Sequence, residues 1–214
     1  MGDTDISKLR QNYTKHELTE ALASLDPMSQ FSEWFDNALK SGILEPNAMV
    51  LSTISGNKPK SRVILLKGFD ARGFVFFTNY SSHKGHELAE NAFGNMTFFW
   101  DQLERQVRIE GKFEKISLEE SQEYFWSRPR ESQIGAWVSN QSEVIEGREI
   151  LDEKLAYFQE KFKNVAVVPK PEYWGGYLLR PESVEFWQGR PNRLHDRLLY
   201  TLEGNIWKRE RLSP

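Results

Sequence analysis

Apolar and polar residues alternate along much of the chain in short stretches, which predicts β-strands more than long helices. Turn residues such as Glu203-Gly204-Asn205 separate these stretches in the manner of hairpins. Many short strands joined by hairpin turns favour a barrel decorated by helices, a mainly β fold of the α+β class. The predicted strands cover residues 48–54, 62–67, 74–79, 95–100, 105–116, 174–179, 183–188, 197–202 and 206–211.

Helices are predicted where apolar residues recur at three- and four-residue spacing. Asp26-Pro27 opens the first helix, with the acid at the N-cap and proline in the first turn, and Gly42 ends it. Ser117-Leu118-Glu119-Glu120 is a capping box for a helix that ends near Pro129. The other predicted helices cover about 82–92, 129–137 and 143–163, and residues 1–25 are expected to be helical in part.

A length of 214 residues suits one domain, and no low-complexity stretch or linker interrupts the chain. We therefore predict an N-terminal segment, 1–25, followed by a single domain over 26–214. The helices between about 117 and 163 form an annex to this domain.

Composition narrows the classes of function. The net charge of −3 at pH 7 argues against a protein that binds nucleic acid mainly by neutralising phosphates. The chain has no cysteine, which excludes disulfides, thiolate nucleophiles and iron–sulfur clusters. Neither a signal peptide nor an apolar run of membrane-spanning length is visible, so the cytoplasm is the expected location.

Common cofactor and catalytic motifs are missing from the sequence. It contains no G-x-G-x-x-G, no G-x-x-x-x-G-K-[ST] and no G-x-S-x-G. His83 and His86 stand three residues apart without a third ligand at metal-site spacing, so no metal site is predicted. If the protein is an enzyme, we expect a bound organic cofactor to supply the chemistry.

The most informative stretch lies near the C-terminus, from Phe186 to Arg197. If the chain is extended from Arg193 onward, Arg193, His195 and Arg197 share one face, because side chains alternate along a strand. Three cation-capable groups on one face of an acidic protein suit a small anion such as a phosphate. The alternative is an exposed edge strand with surplus charge.

Further segments combine cations with small hydroxyl groups, as a phosphate site requires. Ser81-Ser82-His83-Lys84 lies at a predicted helix start, where free N–H groups favour an anion. Each segment alone is explained by helix capping or surface charge, but together they indicate two phosphate sites. The other segments are Arg62 to Lys67, the group Tyr124, Arg128 and Ser132, and Gln141-Ser142.

From about Arg10 to Pro214 the chain resembles the pyridoxine (pyridoxamine) 5′-phosphate oxidase family. The resemblance implies a Greek-key, FMN-binding split β-barrel that works as a homodimer, with the flavin between the subunits. It further implies oxidation of pyridoxine or pyridoxamine 5′-phosphate to pyridoxal 5′-phosphate by hydride transfer from C4′ to flavin N5, with O₂ reduced to H₂O₂. The segments that support it are 62–67, 104–107, 127–137, 173–176 and 186–197.

The resemblance also implies residue roles. Contacts with FMN fall on Arg62, Val63, Ile64, Leu65, Leu66, Lys67, Phe77, Thr78, His83, Lys84 and Gln106, and from the partner subunit on Gln141, Ser142, Trp187 and Arg197. The substrate phosphate falls on Lys67, Tyr124, Arg128 and Ser132. Arg193 and His195 hold the pyridine ring as catalytic residues, and the N-terminal segment closes over it as a lid with Arg10 and Tyr13.

Two residues depart from the family pattern. His83 replaces a usual Arg, which makes one charge near the flavin phosphate pH-dependent, and Phe77 replaces a frequent Tyr. Their expected effect is limited to weaker FMN retention.

Three alternatives remain at this stage: a non-enzymatic carrier of flavin or pyridoxal phosphate, an NAD(P)H-dependent flavin reductase, and a barrel that binds single-stranded nucleic acid. The sequence decides neither the preference between alcohol and amine substrate nor the presence of a regulatory product site.

Overall fold

The computed structural model describes Asp5 and residues 12–214. These residues form five α-helices and nine β-strands. The helices are α1 (Pro27–Lys40), α2 (His83–Glu90), α3 (Leu118–Ser127), α4 (Arg130–Val138) and α5 (Glu149–Phe162). The strands are β1 (Ala48–Ser55), β2 (Lys58–Leu65), β3 (Gly68–Asp70), β4 (Gly73–Asn79), β5 (Phe93–Trp100), β6 (Arg105–Lys115), β7 (Trp174–Gln188), β8 (Asp196–Glu203) and β9 (Ile206–Arg211).

The strands form one sheet in the order β2-β1-β5-β6-β7-β4-β3, with β8 beside β7 and β9 beside β8. The pairs β3–β4, β4–β7, β7–β8 and β8–β9 are antiparallel. Their register places Phe77 opposite Gly176 and Trp187 opposite Arg197. An antiparallel sheet with helices confirms the predicted α+β class.

Local capping signals form as the sequence predicts. The Asp26 side chain accepts a hydrogen bond from the Ser29 N–H at 2.9 Å, which opens α1. Ser117 caps α3 by accepting from the Glu120 N–H at 3.1 Å. Ser82 caps α2, and Gly42 follows α1 with a φ of 81°. These helix ends depend on neighbours in sequence, which is why they could be predicted.

Two compact units can be distinguished within the chain. The described residues of the first fall within 1–49, 96–110 and 181–214. Its core is aromatic: Phe31 of α1 lies 5.2 Å from Phe98, and Trp34 packs edge-on against Phe186 at 5.2 Å. These four side chains are at most 2% exposed, so α1 is fixed by the apolar face that its helical spacing predicts.

The second unit comprises residues 50–95 and 111–180. One of its apolar clusters joins α3, α4 and α5 to the start of β7. The cluster consists of Phe125, Ile134, Val138, Phe162, Val168 and Trp174. It fixes the junction between α3 and α4, where several predicted site residues lie.

Two predicted boundaries are wrong. The helix expected from 143 begins only at Glu149, because Ser142 has a φ of 80° and the fully exposed Val144 has no apolar surface to pack against. The expected strands 174–179 and 183–188 are one continuous strand, β7. Pro181 is tolerated since it lies between the part of β7 that pairs with β4 and the part that pairs with β8.

The N-terminal and C-terminal expectations also need correction. Residues 12–25 contain a turn but no helix. The chain is not extended at Arg193: Pro191–Arg193 form a short 3₁₀ turn, and Asn192 and Arg193 have φ values of 56° and 63°. The strand β8 starts at Asp196, so the alternation argument does not apply to Arg193.

Candidate active site

A cleft of about 360 Å³ opens in the second unit. It receives side chains from β2, β4, α2, α4 and the segments that follow α3 and α4. We call it the cationic cleft because Lys84 and Arg128 both line it. Seven residues predicted as FMN or substrate contacts belong to its wall: Ile64, Phe77, Thr78, Lys84, Arg128, Ser132 and Gln141.

Lys84 is a buried ammonium group with neutral partners. Its Nζ donates to Thr78 Oγ1 at 3.2 Å, to Ser82 Oγ at 3.3 Å and to Gln141 Oε1 at 3.0 Å. Burial lowers its pKa, and the nearby charge of Arg62 lowers the pKa further. Among the described residues no carboxylate forms an ion pair with Lys84. The group is therefore ready to neutralise an anion that enters the cleft.

Arg128 is the second cation of the cleft. Its guanidinium lies 4.8 Å above the Trp174 ring, and its backbone carbonyl accepts from Gln133 Nε2 at 2.8 Å. The Nη1 atom is buried and has no hydrogen-bond partner among the described residues. Burial is also the main cause that lowers the pKa of Arg128. A buried donor without a partner loses its solvation, so an acceptor is expected to occupy this position in the working protein.

Three aromatic rings stack on one another near Arg128, and two of them, Phe77 and Trp174, line the cationic cleft. Phe77 stacks on Tyr124 at 3.8 Å and on Trp174 at 5.3 Å. Gly176 allows this approach, because a Cβ at its position would lie 3.0 Å from the Phe77 ring and 2.5 Å from Ile116. Burial raises the pKa of Tyr124, which keeps its hydroxyl a neutral donor.

Three further predicted site residues meet in the first unit. The ring centres of Trp187 and His195 are 4.6 Å apart, and Tyr13 lies 5.8 Å from Trp187 and 5.9 Å from His195. We call these three residues the histidine cluster. Gly189 makes room for Tyr13, since a Cβ there would lie 2.7 Å from the Tyr13 ring.

Arg197, also in the first unit, is fixed by protein groups on two sides. Its Nε donates to Glu185 Oε1 at 2.7 Å, and its Nη1 donates to the Ser213 carbonyl at 2.9 Å. Glu185 is only 4% exposed and lies within 3.5 Å of Arg108 as well. The ion pair raises the pKa of Arg197, so this residue is a permanently charged and oriented donor.

Other predicted residues lie outside these two groups. Arg62 donates to Glu87 Oε2 at 2.6 Å and to Thr53, so an internal carboxylate already accompanies its charge. His83 lines a different cavity, together with Lys60 and Glu87. Lys67 and Arg193 are exposed, and Gln106 is half-buried on β6. Arg10 lies outside the described residues.

The remaining predicted contacts lie in or just after β2, or in the segment after α4. Val63 is 68% exposed, Leu65 is half-buried, and Leu66 is 4% exposed. Ser142 Oγ accepts from the His83 N–H at 3.3 Å. Gln141, which the resemblance brings from the partner subunit, contacts Thr78 and Lys84 of its own chain.

Sequence reasoning missed the acidic and amide groups that support the cations. Glu87 holds Arg62, Glu185 holds Arg197, and the fully buried Gln188 accepts from Arg105 Nε at 2.9 Å. Glu185 and Gln188 had a visible signal, because Glu185 lies inside the otherwise apolar stretch from Val184 to Trp187 and Gln188 directly follows it. A polar residue in such a strand usually has a buried partner.

Solved structures with the same architecture define the class of protein. PhzG from Burkholderia lata 383, in complex with tetrahydrophenazine-1-carboxylic acid, matches with a TM-score of 0.86 and 30% identity over 92% of this chain and 98% of that chain. A pyridoxamine 5′-phosphate oxidase-related, FMN binding protein from Nostoc punctiforme matches with a TM-score of 0.70 and 15% identity over 89% and 100% of the two chains. The fold is thus that of the pyridoxamine 5′-phosphate oxidase-related proteins.

Sequence comparison identifies the family. A family model described as "Pyridoxamine 5′-phosphate oxidase" matches residues 35–162. A second model, described as "Pyridoxine 5′-phosphate oxidase C-terminal dimerisation region", matches residues 174–214. The pyridoxine/pyridoxamine 5′-phosphate oxidase of Gloeothece citriformis is 55% identical over 99% of this chain and 100% of its own. That of Rubrobacter xylanophilus is 53% identical over 98% and 97% of the two chains. The chain therefore belongs to the pyridoxine/pyridoxamine 5′-phosphate oxidase family, which confirms the resemblance and the expectation of an oxidase.

Within Asp5 and residues 12–214, none of the helices has the length and apolar character needed to cross a membrane.

Proposed function

We propose that this oxidase binds FMN and converts pyridoxine 5′-phosphate and pyridoxamine 5′-phosphate to pyridoxal 5′-phosphate. The alcohol and O₂ give the aldehyde and H₂O₂, and the amine, O₂ and water give the aldehyde, ammonia and H₂O₂. The observation on which this proposal rests is the cationic cleft, whose two cations, the buried Lys84 and the half-buried Arg128, have no carboxylate partner among the described residues. Such a site suits ligands with phosphate groups.

The residues of the cleft fit the FMN phosphate. Lys84 offers a charge, and Thr78 and Gln141, which already contact Lys84, offer hydrogen-bonding groups. The start of α2 lies beside Lys84, and the positive end of the helix dipole there favours an anion. Bound at these residues, FMN would supply the redox chemistry, uptake of a hydride from substrate C4′ and its transfer to O₂.

The second phosphate, that of the vitamer, is assigned to Arg128, Ser132 and Tyr124, together with the exposed Lys67, which lies two residues after β2. The unpartnered Nη1 of Arg128 supports this assignment. Arg128 and the stacked wall of Phe77, Tyr124 and Trp174 together provide a charge and a flat apolar surface. A phosphorylated aromatic ring needs both.

The remaining roles concern the ring and the partner subunit. We assign Arg193 and His195 to the pyridine ring, Tyr13 and Arg10 to a lid over it, and Trp187 and Arg197 to the flavin of the partner subunit. The fold is proposed to close as a split barrel and to form a homodimer in the cytoplasm. The match of residues 174–214 to a dimerisation region supports the dimer.

The test of the function is spectroscopic. We expect the purified protein to show oxidised-flavin bands near about 370 and 450 nm that bleach when pyridoxamine 5′-phosphate is added without oxygen. Admission of O₂ should restore the bands with formation of H₂O₂ and pyridoxal 5′-phosphate. Bands that persist with substrate would contradict the substrate assignment, and a protein that takes up no FMN would contradict the cofactor assignment.

A further inference from the structure

The imidazole of His195 has a hydrogen-bond partner that determines which of its nitrogens holds the proton. The backbone N–H of Arg190 donates to His195 Nδ1 at 3.1 Å. A neutral imidazole has one N–H donor and one acceptor nitrogen. Because Nδ1 accepts, the proton of the neutral ring must be on Nε2.

The donor is held in place by the chain before it. Gln188, which is fully buried, donates from Nε2 to the carbonyls of Leu103 and Glu104, both at 3.2 Å. The Gly189 N–H also donates to the Glu104 carbonyl, at 2.7 Å. Two successive residues are thus fixed to the same turn just before Arg190. Gln188 Nε2 also donates to the Gly189 carbonyl at 3.5 Å, which belongs to the peptide group that carries the Arg190 N–H.

The surroundings of His195 disfavour a second proton. Burial against the rings of Trp187 and Tyr13 lowers its pKa, and the positive charge of Arg193 lowers it further. The guanidinium of Arg190 is turned to Glu17 and Asp196, each at 3.5 Å. A proton on Nδ1 would also face the Arg190 N–H, so that two donors would meet.

We infer that His195 is fixed as the neutral Nε2–H tautomer and acts as a hydrogen-bond donor to an acceptor atom of the substrate, not as a proton acceptor. The tautomer follows from the contacts above, and only the substrate contact rests on the proposed function. His195 then acts like a side-chain amide N–H. The strength of its hydrogen bond to the substrate should stay constant at pH values above the pKa of His195.

The tautomer can be measured in the whole protein without substrate. We expect ¹⁵N-histidine NMR near neutral pH to show one imidazole ring with a protonated Nε2 and an unprotonated Nδ1. In a pH titration this ring should gain its second proton below the usual pKa of histidine. His16, His83 and His86 are all exposed, so single replacements of each by Gln assign their signals and leave that of His195 by elimination. A protonated Nδ1, or an imidazolium that persists above the usual pKa, would overturn the inference.

Two matched variants test the donor role. In His195→Gln the side-chain amide nitrogen reaches the position of Nε2, whereas in His195→Asn the amide reaches only that of Nδ1. We expect His195→Asn to lower kcat/KM for pyridoxamine 5′-phosphate by about 10- to 100-fold, the value of one hydrogen bond to a charged group, and His195→Gln to lower it several-fold less. Equal losses would contradict the donor role. A wild-type protein without oxidase activity would contradict the proposed function alone, because NMR decides the tautomer separately.

Discussion

Two cations of the cationic cleft differ from two cations of the first unit in the kind of partner they have. Lys84 is buried with neutral hydrogen-bond partners, and the half-buried Arg128 lies over the Trp174 ring. In the first unit, Arg197 is paired with Glu185, and Arg211 with Glu20 and Asp196, at 2.7 to 2.9 Å. A buried charge without a counterion opposes folding, whereas a paired one is already neutralised. Lys84 and Arg128 line a cleft that an anion can enter, whereas Arg197 and Arg211 hold the protein in shape. Arg105 of the first unit also has a buried Nη1 without a partner among the described residues, but it lies 4.3 Å from the centre of the Trp34 ring and does not line the cleft.

The sharpest test of this comparison removes the side chain of Arg128, whose Nη1 has no hydrogen-bond partner among the described residues. We expect Arg128→Ala to raise KM for pyridoxamine 5′-phosphate by about 10- to 100-fold, since a charge-assisted hydrogen bond contributes about 1.5–3 kcal/mol. Folding stability should change little, because the guanidinium is buried without a carboxylate partner. Steady-state kinetics and urea unfolding give the two values.

Arg130 supplies the matched control for Arg128. It lies two residues further on, but its Nη2 donates to the carbonyls of Phe162 at 2.5 Å and Val165 at 2.9 Å. Arg130→Ala should therefore lower stability and leave KM nearly unchanged. An unchanged KM in Arg128→Ala would refute the phosphate assignment.

The converse experiment removes a counterion in the first unit. Glu185→Gln leaves Arg197 and Arg108 without their buried carboxylate, so we expect a loss of about 1–2 kcal/mol in the free energy of unfolding. Since Arg197 loses its orientation, the dissociation constant of FMN should rise as well. The control is Glu114→Gln, whose partner Arg180 is 52% exposed. If both variants lose equally little stability, Glu185 has no special role.

Local chemistry explains which parts of the fold could be predicted. The N-caps Asp26 and Ser117 and the turn before β9 depend on two to four neighbouring residues, and all three form where expected. The predictions for the start of α5 and for Arg193 were wrong because Ser142, Asn192 and Arg193 have positive φ values, which residue spacing does not reveal. Alternation at 193–197 looked like a strand, but the preceding Pro191-Asn192 forces a turn.

The candidate site shows the same division. Cations and hydroxyl groups could be selected by residue type, and three of those selected, Lys84, Arg128 and Ser132, line one cleft. Their partners could not be selected, because the pairing of Arg62 with Glu87 joins a strand to a helix 25 residues away. Residue type alone does not indicate that Arg62 is neutralised by Glu87 whereas Arg128 has no such partner among the described residues.

A smaller effect is expected where the histidine cluster depends on close packing. In Gly189→Ala the new Cβ would lie 2.7 Å from the Tyr13 ring, so Tyr13 must move. Because Tyr13 is only half-buried, we expect a loss of about 1 kcal/mol and a several-fold rise in KM, without a change in FMN affinity. Gly68→Ala is the control, since no atom lies within 4 Å of its Cβ position. Equal behaviour of the two variants would contradict this packing role.

The smallest predicted effect uses pH to distinguish Lys84 from the paired cations. Burial lowers the pKa of Lys84 in the folded protein, so between that value and its ordinary pKa the unfolded chain binds more protons. The FMN-free protein should therefore gain stability as pH rises through this window, by about 1.4 kcal/mol per unit of pKa shift.

The gain should be absent in Lys84→Met, and it should shrink when FMN is bound, because a phosphate next to Lys84 raises its pKa again. Urea unfolding at about pH 7.5 and about pH 9.5, with and without FMN, measures the difference. The paired Arg197 has a raised pKa and does not titrate in this range, so Glu185→Gln should leave the pH dependence unaltered. Identical pH dependence in the wild type and in Lys84→Met would show that Lys84 bears no unneutralised charge, and the distinction between the two regions would then rest on Arg128 alone.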